Sequence, residues 1–258
     1  MMLYPEKFPV PLVVLTETDS TNCFLGRYCD TQKAEEFTTA LAEHQTAGKG
    51  QTGNVWESET GKNITCSTVL YPHFIKPQRQ FILSQIISLS IKEALDEWAD
   101  GISIKWPNDI YWKEKKICGI LIENDLTGDS ISRCIIGIGV NINQQTFHSN
   151  APNPVSLFQI TGAEHDKYTI LSDILQRMKA YYSLLKRSIS IGATDVTKQI
   201  ADRYAQALFR KEGLHRYADK EGEFTARIKR VEPDGRLVLE DSMHKERSYL
   251  FKEVKYLI

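Results

Sequence analysis

Five short stretches of this 258-residue chain carry residue types that could do chemistry. One is Gly48-Lys49-Gly50-Gln51-Thr52-Gly53 with Trp56 just beyond it. Glycine has no Cβ, so such a loop lets backbone N–H groups and one ammonium approach a phosphate or carboxylate, and the indole offers a face to a purine. The loop lacks the glycine spacing and the Gly-Lys-Ser/Thr ending of a P-loop, and it opens no helix as a dinucleotide fingerprint does. Lys105-Trp106-Pro107-Asn108-Asp109 sets an amide and a carboxylate in a proline-containing turn. Lys113-Glu114-Lys115-Lys116 adds ammonium groups, and Asp19-Ser20-Thr21-Asn22 adds hydroxyls and an amide. Gly137-Ile138-Gly139-Val140-Asn141 puts glycines inside a strand-like run, where they mark a bulge or a close approach of another group. Each stretch alone also has a plainer reading as a turn, a solvated loop, a packing device or a helix cap.

Regular elements must hold these residues in place. Leu12 to Thr16 is a β-branched apolar run that predicts a strand, with Asp19 or Ser20 capping a helix through Cys23, Leu25 and Tyr28. Phe37 to Glu43 predicts a second strand that delivers the glycine loop, and Ile64, Cys66, Thr68 and Leu70 share one face of a third. Pro77 opens a helix whose stripe runs through Phe81, Ile82, Ile86, Leu89 and Leu95 to Trp98 and lies across the sheet. Runs at Ile102 to Trp106, Ile117 to Glu123 and Ser132 to Val140 read as a meander, with Thr127-Gly128-Asp129 as a turn. An irregular segment from Gln144 to Pro154 precedes helical patterns from Thr169 to Lys186 and from about Thr194 to Leu208. Short alternating strands such as Phe224 to Ile228 and Leu237 to Leu239, joined by Pro233-Asp234-Gly235, then predict a separate small β-domain beginning near Lys211.

Composition narrows the function. Charges nearly cancel, at a formal net charge of -1, so the basic footprint of a general nucleic-acid binder is missing. The five cysteines show no Cys-x-x-Cys spacing and read as reduced core thiols. The first residues lack the pattern of a signal peptide, and no apolar run approaches the roughly 20 residues of a membrane helix. The expectation is a cytoplasmic protein with no nucleic-acid or membrane partner.

Together the stretches resemble the ordered signature of the biotin protein ligases: Thr18 to Asn22, Gln45 to Gly50 with Trp56, Lys105 to Asp109, Lys116 to Glu123, and Ile136 to Asn141. The resemblance runs from about residue 10 to the C-terminal β-domain. It implies an α/β (α+β) fold, a mixed sheet backed by helices and related to class II aminoacyl-tRNA synthetases, followed by a small SH3-like β-barrel. The implied division is a biotin- and ATP-binding catalytic domain over 1–210 and a β-domain over 211–258. The implied reaction makes biotinyl-5'-adenylate from biotin and ATP with Mg²⁺, then passes biotin to a lysine of the biotin carboxyl carrier domain of a biotin-dependent carboxylase. Ser20, Thr21 and Asn22 match the segment that binds the biotin head, and Gln45, Gly48 and Gly50 match the floor and loop of that pocket. Gly119 leaves room for the biotin chain, and Gln51 stands where the intermediate is held. Lys49 and Lys116 match the basic residues at the reacting carboxylate and α-phosphate, and are the catalytic pair. On the nucleotide side the matches are Lys49, Gln51, Trp56, Asn108 and Asn141. Ligands for Mg²⁺ are not named by the resemblance.

The chain departs from the family's commonest loop, Gly-Arg-Gly-Arg-x-Gly-Arg, by carrying Lys49, Gln51 and Asn54 at the arginine positions. An amide at 51 lacks both the charge and the five-donor fork of guanidinium. The first strand-like run begins near residue 11, which predicts a monofunctional form without a DNA-binding head, a monomer or homodimer. Competing readings are a lipoate ligase or octanoyltransferase of the same catalytic fold, and a non-catalytic module that binds biotin or its adenylate.

Overall fold

The computed structural model describes residues 8–50, 55–149 and 151–258. In chain order the first part holds β1 (Leu12–Thr18), α1 (Thr21–Thr31), β2 (Thr39–Gln45), β3 (Ile64–Leu70), α2 (Phe81–Asp96), β4 (Ile102–Lys105), β5 (Asp109–Trp112), β6 (Lys115–Thr127) and β7 (Ser130–Val140). Helices α3 (Leu157–Thr161), α4 (Lys167–Ser190) and α5 (Asp195–Gln206) follow, then β8 (His215–Asp219), β9 (Gly222–Val231), β10 (Leu237–Asp241), β11 (Glu246–Tyr249) and β12 (Lys255–Tyr256).

Strands β1 to β7 form one sheet in the order β1-β2-β3-β7-β6-β5-β4. β1 and β2 run parallel through the α1 crossover, and every other neighbouring pair is antiparallel, so the sheet is mixed. Period-2 alternation divides β3 between two cores. Ile64, Cys66 and Leu70 join the large cluster under α2 and α4, while Val69 joins Leu25, Ala40 and Ile135 under α1. All seven β3 residues are buried, which makes this strand the rigid centre from which the neighbouring site is hung.

Several sequence expectations shift in detail. Pro77 opens a short 3-10 turn over Pro77–Arg79, and α2 starts at Phe81. Trp98 lies beyond the end of α2, with its indole edge-on to His165 at 5.0 Å, because the stripe that ends at Leu95 already covers the core. The stretch from Asp109, expected to be turn and solvated loop, is the short strand β5, and Lys115 and Lys116 open β6. Four residues between a proline turn and Lys113, whose φ is +51, are too few to display a period. Helix α3, also unforeseen, is fixed by a capping box in which Ser156 and Gln159 bond each other's backbone.

The remaining strands make a second, antiparallel sheet in the order β11-β10-β9-β8-β12, with a bulge in the β9–β10 pairing at Val238/Leu239. It is not an appendage. Tyr217, Ala226, Leu237 and Leu239 belong to the same cluster as α2. Trp106 donates from Nε1 to the Gly235 carbonyl at 2.9 Å, and its ring meets Phe251. Gly235, at φ +94, lies against the Phe81 ring, where an added Cβ would come to 2.7 Å. Among the described residues no helix is long and apolar enough to cross a membrane.

Candidate active site

The chain passes from β1 into α1 at Ser20, which is buried in the N-cap position, yet its side chain makes no cap hydrogen bond. Asp19 ties the junction instead, by accepting from the Ser20 N–H at 2.8 Å and from two Arg27 nitrogens at 2.9 Å each. The Arg27 guanidinium, followed by that N–H, holds the Asp19 carboxyl well below the usual carboxylate range. The Ser20 hydroxyl is left to face the chamber that it lines. Thr21 gives both its N–H and its hydroxyl to Gln45 Oε1, at 2.8 and 3.2 Å, which fixes the amide at the end of β2 and turns its NH₂ outward. Ser67 on β3 reaches up to Thr21 Oγ1 at 2.7 Å and Asn22 Oδ1 at 2.5 Å, while Asn22 Nδ2 donates to Glu123 on β6 at 2.7 Å. One buried polar network therefore spans α1, β2, β3 and β6.

Three glycines make the floor. Gly119 on β6 faces Gly139 on β7, and Gly137 lies two residues earlier on the same face of β7. A Cβ on Gly137 would run into the Asn22 side chain, and one on Gly139 into the Trp56 indole. At Gly119 it would come to 2.9 Å from the same indole. The odd glycines in β7 are thus explained by close approach of side chains. Trp56, expected on the nucleotide side, packs its ring over Gly119 and Gly139, the slot expected to hold the biotin chain, because a side-chain-free floor gives a flat aromatic its widest contact. Its Nε1 is buried without a partner.

The two described flanks of the glycine loop pair with each other. Lys49 and Val55 form an antiparallel bridge, and the Trp56 N–H donates to the Gly48 carbonyl at 3.0 Å. Gly48, expected at the pocket floor, lies against the Trp56 backbone: a Cβ there would meet the Trp56 carbonyl at 2.6 Å, so this close pairing of the loop's flanks requires glycine. Gly50 and Lys49 do line the chamber. The exposed Lys49 ammonium is held above the ordinary lysine value, chiefly by the Cys23 sulfur. Gln51 and Asn54 lie outside the described residues.

At the opposite wall Lys116 enters from β6, clamped between β5 and the 153–155 segment. Its N–H donates to the Asn153 carbonyl at 2.8 Å, and its carbonyl accepts from the Val155 N–H at 3.0 Å. A register shift at Ile110/Tyr111 bends β5 beside it, and Lys116 Nζ sits 2.8 Å from Asp109 Oδ1. Asn108 and Asn141 are buried outside the chamber wall, and each leaves its side-chain oxygen without a hydrogen-bond partner. Asn141 Nδ2 donates to the Val155 carbonyl at 3.1 Å.

Ser20, Thr21, Asn22, Gln45, Lys49, Gly50, Trp56, Lys116 and Gly119 therefore come together around one chamber. Sequence reasoning passed over Ser67 and gave Asp109 no role. The signal for Ser67 was a hydroxyl residue that, with Thr65, faces away from the apolar Ile64 and Cys66 in β3. For Asp109 it was the only acid between Lys105 and Lys113.

The sequence profile of the Biotin/lipoate A/B protein ligase family matches residues 14–141. The bifunctional ligase/repressor BirA of Bacillus subtilis is 35% identical over 169 residues, which are 63% of this chain and 50% of that protein. The biotin--[acetyl-CoA-carboxylase] ligase of Mycobacterium tuberculosis is 28% identical over 66% of this chain and 63% of its own length. The chain spans about half the length of the first of these relatives. In three dimensions, the biotin protein ligase from Aquifex aeolicus in complex with biotin and ATP superposes with a TM-score of 0.75 at 25% identity, covering 96% of this chain and 99% of that one. With the profile falling on the strands and glycines that build the chamber, and with the whole fold superposing on a biotin protein ligase, the chain is similar to the biotin/lipoate A/B protein ligase family.

Proposed function

We propose that the chain is a biotin protein ligase, which activates biotin with ATP and transfers it to a lysine of a biotin carboxyl carrier domain. One observation carries the reading: a single chamber joins a hydrogen-bonding end at Ser20, Thr21 and Gln45 to an ammonium end at Lys49 and Lys116, across a floor of glycine. A ureido ring is costly to bury unless each polar atom is paired, and the Ser20 hydroxyl and Gln45 NH₂ are the groups left to pair with it. The unpaired Trp56 Nε1, Asn108 Oδ1 and Asn141 Oδ1 add a donor and two acceptors of the kind a nucleotide base satisfies.

In the first step a biotin carboxylate oxygen attacks the α-phosphorus and pyrophosphate leaves. Two anionic groups must meet, so Lys49 and Lys116 offset their repulsion and stabilise the charge that grows on the phosphoryl oxygens. In the second step the carrier amine attacks the acyl carbon, and the adenylate's phosphate leaves as AMP beside the same two ammonium groups. Among the described residues no three His, Cys, Asp or Glu side chains cluster and Asp109 is the one acid of the chamber wall, so Mg²⁺ would be held largely by the phosphate oxygens of ATP and would offset part of their charge. On this reading 1–210 form the catalytic unit and 211–258 the SH3-like unit packed on it. The test is exchange of labelled pyrophosphate into ATP. Exchange that depends on biotin and is lost in Lys116→Ala supports adenylation; exchange driven by lipoate and not by biotin overturns it in favour of the other branch of the family.

A further inference from the structure

Asp109 poses a difficulty for the adenylation reading. A chamber that must bring a carboxylate to a phosphate carries a carboxylate in its own wall, paired with one of its two ammonium groups. The strand pairing answers it. Lys105 closes β4 directly opposite Asp109, which opens β5, while Lys116 comes from β6 on the other side. Two lysines on flanking strands thus address one carboxylate. Lys116 faces the chamber; Lys105 stands behind it, with Nζ 5.1 Å from the Tyr111 ring centroid and 5.3 Å from that of Tyr256.

Among the described residues the Lys105 ammonium makes no hydrogen bond or ion pair, so a charge largely withdrawn from water rests on two aromatic faces. Burial pushes its pKa below the ordinary lysine value; Asp109 works in the opposite direction, and Lys116 and Arg210 push it lower still. We propose, on the ground of the adenylation reading, that Lys105 is a positioning residue that shares Asp109 with Lys116, taking up the aspartate's charge when substrates draw Lys116 away from it. Asp109 then neither retains Lys116 nor repels the incoming anions. Tyr256 lies on β12, so the C-terminal sheet supplies one wall of this device and acts on the reaction centre without touching it.

Two measurements test it. The ¹³Cε shift of Lys105, assigned by its loss in Lys105→Arg, should titrate below the protein's exposed lysines and lower again in Asp109→Asn; a midpoint indifferent to Asp109→Asn overturns the proposal. In the exchange assay Lys105→Met should lower kcat about tenfold with KM for biotin and ATP within about twofold, and Lys105→Arg should recover most of the rate. In an Asp109→Asn background the Lys105→Met loss should shrink to about twofold or less, since the two residues act as one unit. A full tenfold loss in that background means Lys105 acts by another route, and the proposal falls. Wild-type protein that exchanges no pyrophosphate with biotin defeats the adenylation reading instead, and the titration still decides the coupling.

Discussion

Trp56 and the glycines beneath it are the most sharply constrained residues of the chamber. A methyl on Gly139 has no space while the indole lies over it, so Gly139→Ala must displace the ring. The expected result is a red-shifted tryptophan emission in the free protein and biotin binding weakened about tenfold or more, since the slot is narrowed as well. Fluorescence titration with biotin checks both effects, and unchanged emission would show that the ring does not pack there. Gln51 belongs to the same scale. An amide lacks the charge with which guanidinium would hold an adenylate, so Gln51→Arg is expected to slow release of free biotinyl-adenylate several-fold. Chromatography of the released adenylate measures it; equal rates in the two proteins would remove the idea.

Elements fix these residues through a few buried polar ties. Lys167 at the start of α4 donates to Glu43 Oε2 at 2.6 Å, and Tyr168 donates to Oε1 at 2.8 Å, which anchors the helix to the strand that carries Gln45. Both charged side chains are nearly buried, at 8% and 11% exposure. Removing one partner strands the other charge, so Lys167→Met should cost about 3 kcal/mol, and adding Glu43→Gln should recover part of that loss. Urea denaturation of the two variants gives the comparison. The same scale shows why legibility in the sequence was uneven. β1, β3, β6 and β7 are long enough for their apolar period to be read, and the stripe of α2 repeats over four turns. β5, four residues of strand, and α3, little more than one helical turn, are too short to show a period and are fixed by what surrounds them: β5 by the strands on either side, α3 by the Ser156-Gln159 box. Ser20, Thr21, Asn22, Gln45, Lys49, Gly50, Trp56, Lys116 and Gly119 were singled out through the resemblance of their ordered motifs, whereas Asp109 and Ser67, which depend on strand pairing, were not. The Trp56 position was not legible, because the packing of a ring on two glycines of different strands is a tertiary fact.

Across the whole molecule, one apolar cluster runs from the large sheet through α2 into the second sheet. The C-terminal sheet adds a dense set of ion pairs. Lys229 and Arg227 hold Glu240 down at about 2, and Arg230 with Lys229 holds Glu246 down at about 2. A carboxyl depressed in the folded state stabilises it above the ordinary carboxylate pKa and gives that up as pH falls toward the depressed value. Stability should therefore drop between about pH 4.5 and 2, and Glu240→Gln should flatten the slope. Circular dichroism at a series of pH values follows it; an identical slope in the variant would assign the acid loss elsewhere.

The central claim is that this chamber attaches biotin to a carrier lysine. Mass spectrometry of a biotin carboxyl carrier domain incubated with the protein, ATP, Mg²⁺ and either biotin or lipoate tests it most directly. The predicted result is a carrier that gains one biotinyl group with the wild-type protein and almost none with Lys116→Ala. A carrier modified by lipoate alone, or left unmodified by a folded wild-type protein, would contradict it.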